Sequence, residues 1–117
     1  MGVSAIPAEP PRLTFTLDDL AKTIALRAGA SSERSYTRTL LEKGPRGAAK
    51  KFGEEAVELV IAAVGESDEA LRAEAADLLY HLLVLLKSRE VSLGEVLAEL
   101  ERRTARSGHE EKASRAS

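Results

Sequence analysis

Read at 100° per residue, the stretch from Lys51 to Val64 is apolar around most of its circumference, through Phe52, Ala56, Val57, Leu59, Val60, Ile61, Ala63 and Val64. Its polar residues Lys51, Glu54, Glu55 and Glu58 fall on one narrow stripe, because spacings of three, four and seven return to the same helical face. The stretch from Ala75 to Leu86 repeats the pattern. Apart from the Tyr80 hydroxyl, its only polar side chains are Asp77 and His81, which share a stripe with Glu74. A helix that is apolar nearly all round is normally a buried one. The pattern predicts two long helices over about 46–64 and 68–89, and the short connection Gly65-Glu66-Ser67 makes them an antiparallel hairpin.

Shorter elements flank the hairpin. Thr16 is an N-cap followed by Asp18 and Asp19, which suit the positive end of a helix; Leu20, Ile24 and Ala28 then recur at helical spacing before Gly29. Residues 30–34 read as a polar loop, and Ser35 caps a short helix running to Lys43, which Gly44-Pro45 ends. Ser92 caps a last helix, LGEVLAELERRTA. The expected organisation is a leader over 1–13, which holds three of the four prolines, an all-α domain over 14–107, and a polar tail over 108–117.

Composition narrows the function. Aromatic residues make up only 3% of the 117-residue chain, so the core is aliphatic and helical. A formal net charge of -2 leaves no overall basic field for a nucleic-acid backbone or an anionic membrane, and neither is expected as a partner. Cysteine is absent, which removes disulfides and thiolate metal sites together. No stretch reaches the length of a membrane span, and the chain reads as cytoplasmic. The two long helices are too apolar to be covered by the short first helix and one last helix, so a homodimer or higher homo-oligomer is expected.

The hairpin puts its two polar stripes face to face. Glu58 and Glu74 lie at nearly the same height, as do Glu55 and Asp77, at ~1.5 Å of rise per residue. Four carboxylates on facing stripes of buried helices repel one another and resist desolvation unless they take up protons or share a cation. An oxygen-only ligand set favours a hard divalent ion, magnesium first and manganese as a substitute. A lone E-x-x-E is usually a solvated face. Here E-x-x-E at Glu55 and Glu58 is followed, after fifteen residues, by E-x-x-D at Glu74 and Asp77 on otherwise apolar helices.

The same residues carry a family resemblance. The strings SYTRTLL (35–41), KKFGEEAVELVIAA (50–63), EAADLLYHLLVLL (74–86) and EKASR (111–115) resemble phosphoribosyl-ATP pyrophosphohydrolases of histidine biosynthesis, within the all-α, MazG-like nucleoside triphosphate pyrophosphohydrolases. The resemblance implies magnesium on the carboxylate pairs and hydrolysis of 1-(5-phosphoribosyl)-ATP to the AMP derivative and diphosphate. The carboxylate pairs indicate only the superfamily; SYT and EKASR are the more specific strings. The Pro-rich leader is extra to the family pattern. A cyclohydrolase domain, which accompanies this activity in some members, is not seen, so the following step is expected on another chain.

Roles for individual residues follow. Magnesium on Glu55, Glu58, Glu74 and Asp77 offsets charge on the diphosphate leaving group and orients a water toward the α-phosphorus. Glu54 and Glu55 are the candidate catalytic carboxylates, Glu54 as a further ligand or as the group that accepts the water's proton. Lys50 and Lys51 are phosphate partners by point charge, with a solvated helix start as the bland reading of Lys50. Tyr36 and Thr37 open a short helix whose free N–H groups suit an anion; a cap and a core tyrosine are the alternative. His81 suits a hydrogen bond to a metal ligand, and Tyr80 reads as packing. Lys112 and Arg115, three apart in the tail, are candidate substrate contacts. Two rivals share part of this pattern: a housecleaning pyrophosphohydrolase with the same carboxylates, and a non-enzymatic helical module whose acidic stripe is a metal-free dimer seam.

Overall fold

The computed structural model describes residues 14–105; the leader, Lys112, Arg115 and the rest of the tail lie outside them. Five helices follow one another, and among the described residues there is no strand: α1 Leu17–Ala28, α2 Tyr36–Glu42, α3 Gly44–Gly65, α4 Asp68–Ser88 and α5 Leu93–Thr104. No helix among them is long and apolar enough to cross a membrane.

The starts form as the capping residues dictate. Thr16 accepts from the Asp19 N–H while the Asp19 carboxylate accepts from the Thr16 N–H, a reciprocal box repeated at α5 by Ser92 and Glu95. Ser35 and Ser67 cap α2 and α4 through the N–H groups of Arg38 and Ala70. One boundary differs from the sequence reading. Gly44-Pro45 does not merely end α2; it opens α3, which begins two residues earlier than expected. Gly44 adopts φ 73, a left-handed turn that glycine makes without penalty, and Pro45 sits in the first turn, where its missing N–H costs nothing.

Helices α3 and α4 form the hairpin and share the most extensive contact in the fold. Ile24 of α1, Leu40 of α2, and Leu83 and Val84 of α4 make the buried core, with Leu20, Ala21, Leu41, Tyr80, Leu86 and Leu93 against it. That core lies on one side of the hairpin. On the other, Val57, Val60, Ile61 and Val64 form an i, i+3, i+4, i+7 stripe on α3, each more than half exposed. Helix α5 buries no residue and leaves Leu97 and Leu100 largely in solvent. The burial expected around the full circumference of α3 is therefore not supplied within one chain.

Candidate active site

Hairpin geometry brings Glu55 and Glu58 of α3 to Glu74 of α4. One carboxylate oxygen from each lies within 4.8 Å of the others. Glu55 is only 7% exposed, Glu74 half-buried and Glu58 exposed. The contacts of Glu55 are loose: Lys51 Nζ pairs with it at 3.7 Å and the imidazole Nδ1 of His81 lies at 3.9 Å, both beyond a good hydrogen bond. A buried carboxylate so weakly satisfied, beside two more, has the chemistry of a divalent-cation site. The crowding already raises the Glu58 pKa, first through the charge of Glu55, then through partial burial and Glu74. The donor set is all oxygen and small rotations would bring the three atoms onto one hard ion, so the residues fit the group expected from the sequence.

Asp77 stands apart from this cluster. It lies one turn beyond Glu74 on α4, but its side chain is exposed and it is not among the converging carboxylates. His81, one turn beyond Asp77, is buried. Its Nδ1–H donates to the Asp77 main-chain carbonyl at 2.8 Å, not to a carboxylate, and the acidic group nearest to it is Glu55. The other ring nitrogen, Nε2, is buried and has no hydrogen-bond partner among the described residues.

The SYT segment divides. Tyr36 is exposed, stacks on Tyr80 with centroids 6.4 Å apart, and lies close enough to Lys51 to raise its pKa, ahead of the contribution from Glu55. Thr37, expected at the substrate, is instead fully buried, with its hydroxyl 2.5 Å from that of Tyr80. Tyr80 is more than packing: it holds Thr37, stacks on Tyr36 and meets His81 edge-on at 5.0 Å, so α2 is fixed against α4 beside the carboxylates.

Two clefts flank the cluster. One, about 360 Å³, runs toward the hairpin turn and is lined by Glu58, Glu66 and Glu74 with Ile61, Ala70 and Ala73. The other, about 350 Å³, lies over the start of α3, between Tyr36 and Leu40 of α2 and Lys50, Lys51 and Glu54. Lys43 also lines it, a residue missed in the sequence because α3 was expected to start later.

A family model described as phosphoribosyl-ATP pyrophosphohydrolase matches residues 17–104, all five helices. The chain belongs to this family. Phosphoribosyl-ATP pyrophosphatase 1 of Bradyrhizobium diazoefficiens is 63% identical over 101 residues, covering 86% of this chain and 95% of that protein. Phosphoribosyl-ATP pyrophosphatase 1 of Rhodopseudomonas palustris is 61% identical, covering 86% and 94%. Phosphoribosyl-ATP pyrophosphatase of Azorhizobium caulinodans is 59% identical, covering 86% and 92%.

Proposed function

We propose that the protein hydrolyses 1-(5-phosphoribosyl)-ATP to 1-(5-phosphoribosyl)-AMP and diphosphate, the second step of histidine biosynthesis, in the cytoplasm. The observation that carries this reading is the convergence of Glu55, Glu58 and Glu74 between a glutamate-lined cleft and a lysine-lined one, in a chain of this family. Glu55, Glu58 and Glu74 would hold magnesium, or manganese in its place, with Asp77, one turn along α4, as a fourth candidate ligand. Such an ion would supply charge to offset that developing on the diphosphate leaving group and would make a water more acidic.

The chain's own residues supply the rest. Lys51 is held along α3 by Glu55 and presents its ammonium to a phosphate oxygen, and Lys50 adds a second positive charge to the same cleft. Glu54 lines that cleft without belonging to the metal cluster, which suits it to accept the proton of the attacking water. Tyr36 offers an exposed ring face and phenol beside Lys51. Outside the described residues, Lys112 and Arg115 supply further charge for the polyphosphate. A second copy of the chain covers the exposed stripe of α3, so the working unit is at least a homodimer.

The test is a substrate panel. With magnesium, phosphoribosyl-ATP should yield diphosphate and no inorganic phosphate, ordinary nucleoside triphosphates should be poor substrates, and chelation should stop turnover. Equal turnover of ordinary or damaged nucleoside triphosphates would favour the housecleaning role. No turnover of any triphosphate, with no magnesium binding by calorimetry, would leave only the helical-module reading.

A further inference from the structure

Resting on that functional reading, we infer that the Lys43 end of the lysine-lined cleft over the start of α3, the end away from Lys51 and Glu54, is the subsite for the substrate's terminal phosphate monoester, with Lys43 as the residue that distinguishes phosphoribosyl-ATP from an ordinary nucleoside triphosphate. Such a substrate is anionic at both ends. Its polyphosphate belongs at the carboxylates with the metal, whereas the monoester on the added ribose needs cations that do not depend on an ion.

Only one of the two flanking clefts can meet that need. The cleft toward the hairpin turn presents the carboxylates of Glu58, Glu66 and Glu74 and repels a bare phosphate. The other presents Lys43, Lys50 and Lys51 against a single carboxylate, Glu54. Lys51 is engaged by Glu55, but among the described residues Lys43 and Lys50 form no ion pair, so their charge is available.

Lys43 is also a placed residue. Its backbone caps α2, donating to the carbonyls of Leu40 and Leu41, and is followed at once by the left-handed turn of Gly44. Its side chain then lies across the first turn of α3 at Gly47. A Cβ at position 47 would stand 2.4 Å from the Lys43 Cβ and 3.5 Å from its Cγ and Cδ. The missing side chain of Gly47 is what lets the Lys43 stem lie there. Residues 43, 47, 50, 51 and 54 lie along one helical face, continuing into Glu55 and Glu58, so positive charge passes to negative along a single line. The twelve steps from Lys43 to Glu55 span ~18 Å of helix rise, a separation that sets the two anionic ends of one extended ligand apart. Tyr36, between them, faces the intervening sugar and base.

The experiment measures kcat/KM on phosphoribosyl-ATP and on ATP for the parent, Lys43→Ala, Lys43→Arg and Gly47→Ala, with Lys22→Ala, paired to Asp18 on α1, as a surface control. Inhibition by ribose 5-phosphate is measured alongside. Lys43→Ala should lower the preference for phosphoribosyl-ATP over ATP by roughly tenfold or more, the size of one charge-assisted contact. It should weaken ribose 5-phosphate inhibition comparably while magnesium affinity holds. Gly47→Ala should move in the same direction and Lys43→Arg should retain most of the preference. An unchanged preference and unchanged inhibition in Lys43→Ala overturn the inference while leaving the functional reading intact. A parent that does not turn over phosphoribosyl-ATP at all sinks the functional reading instead.

Discussion

The hydroxyls of Thr37 and Tyr80 meet at 2.5 Å, tying the first turn of α2 to the middle of α4 in a place where Thr37 has no exposure to water. Removing one partner leaves the other to find a substitute, and water does not reach Thr37. Tyr80→Phe should therefore destabilise the fold by about 1–2 kcal/mol, whereas Thr37→Val should cost less because the Tyr80 hydroxyl is only half-buried. The double variant should recover part of the Tyr80→Phe loss. Chemical denaturation of the three variants checks this, and strictly additive losses would show that the pair is not coupled. Because Tyr80 also stacks on Tyr36, Tyr80→Phe isolates the hydroxyl while keeping the ring in place.

A second prediction concerns the acidic cluster. Ala at Glu55, Glu58, Glu74 or Asp77 should abolish turnover, since each loss removes an oxygen ligand and leaves phosphate charge unneutralised. Near-normal rates in any two of the four would show the metal site to be elsewhere. The same crowding has a signature in the metal-free protein. Glu58 has a raised pKa, so the folded state takes up its proton more readily than the unfolded chain; stability from this group is present at low pH and lost as pH rises through the folded value. Glu58→Gln should thus melt higher than the parent at neutral pH, and the gap should close as the pH falls into the carboxylate range. A gap that is constant with pH would exclude charge repulsion as its cause.

The hairpin and its acidic stripe were legible because both rest on local rules: helical period, short connection, and the rarity of carboxylates on apolar helices. Spacing alone brings Glu55, Glu58 and Glu74 to one level of the hairpin, where their oxygens converge, and Thr16, Ser35 and Ser92 are legible as caps, whereas Ser67 reads only as part of the connection. What stayed hidden depends on contacts between elements. Nothing in the chain's period could pair Thr37 with Tyr80 across forty-three positions, or send the His81 Nδ1–H to a main-chain carbonyl. Lys43 escaped for a different reason: Gly44-Pro45 reads equally as a stop and as a start, and only the left-handed turn at Gly44 shows it to be both.

The tail gives a third prediction. Glu110-Glu111-Lys112-Ala113-Ser114-Arg115 lies outside the described residues, and its own composition is that of a solvated end. Ala at both Lys112 and Arg115 should nevertheless lower kcat/KM if these charges meet the polyphosphate, and magnesium affinity of the free enzyme should not move. The loss should fall on ATP and phosphoribosyl-ATP alike, which separates it from the substrate-selective loss expected at Lys43. Parent-like kcat and KM in both the double variant and a chain stopped after Ser107 would show that the tail takes no part.

The fourth prediction concerns the uncovered side of α3. Val57, Val60, Ile61 and Val64 are 59%, 60%, 51% and 82% exposed, a continuous apolar stripe on the helix that also carries Glu55 and Glu58. Single apolar residues on a surface need no explanation, but four at helical spacing on a long helix form a face that water disfavours, and α5 likewise buries no residue of its own. Burying it against a second copy satisfies both helices with one symmetric contact. Light scattering at micromolar concentration should therefore return at least twice the 12.6 kDa chain mass, and Val60→Asp should shift the population toward monomer by placing an unpaired charge in that contact. A parent that runs as a monomer, or a Val60→Asp protein that keeps the parent's mass, would remove this face from the interface.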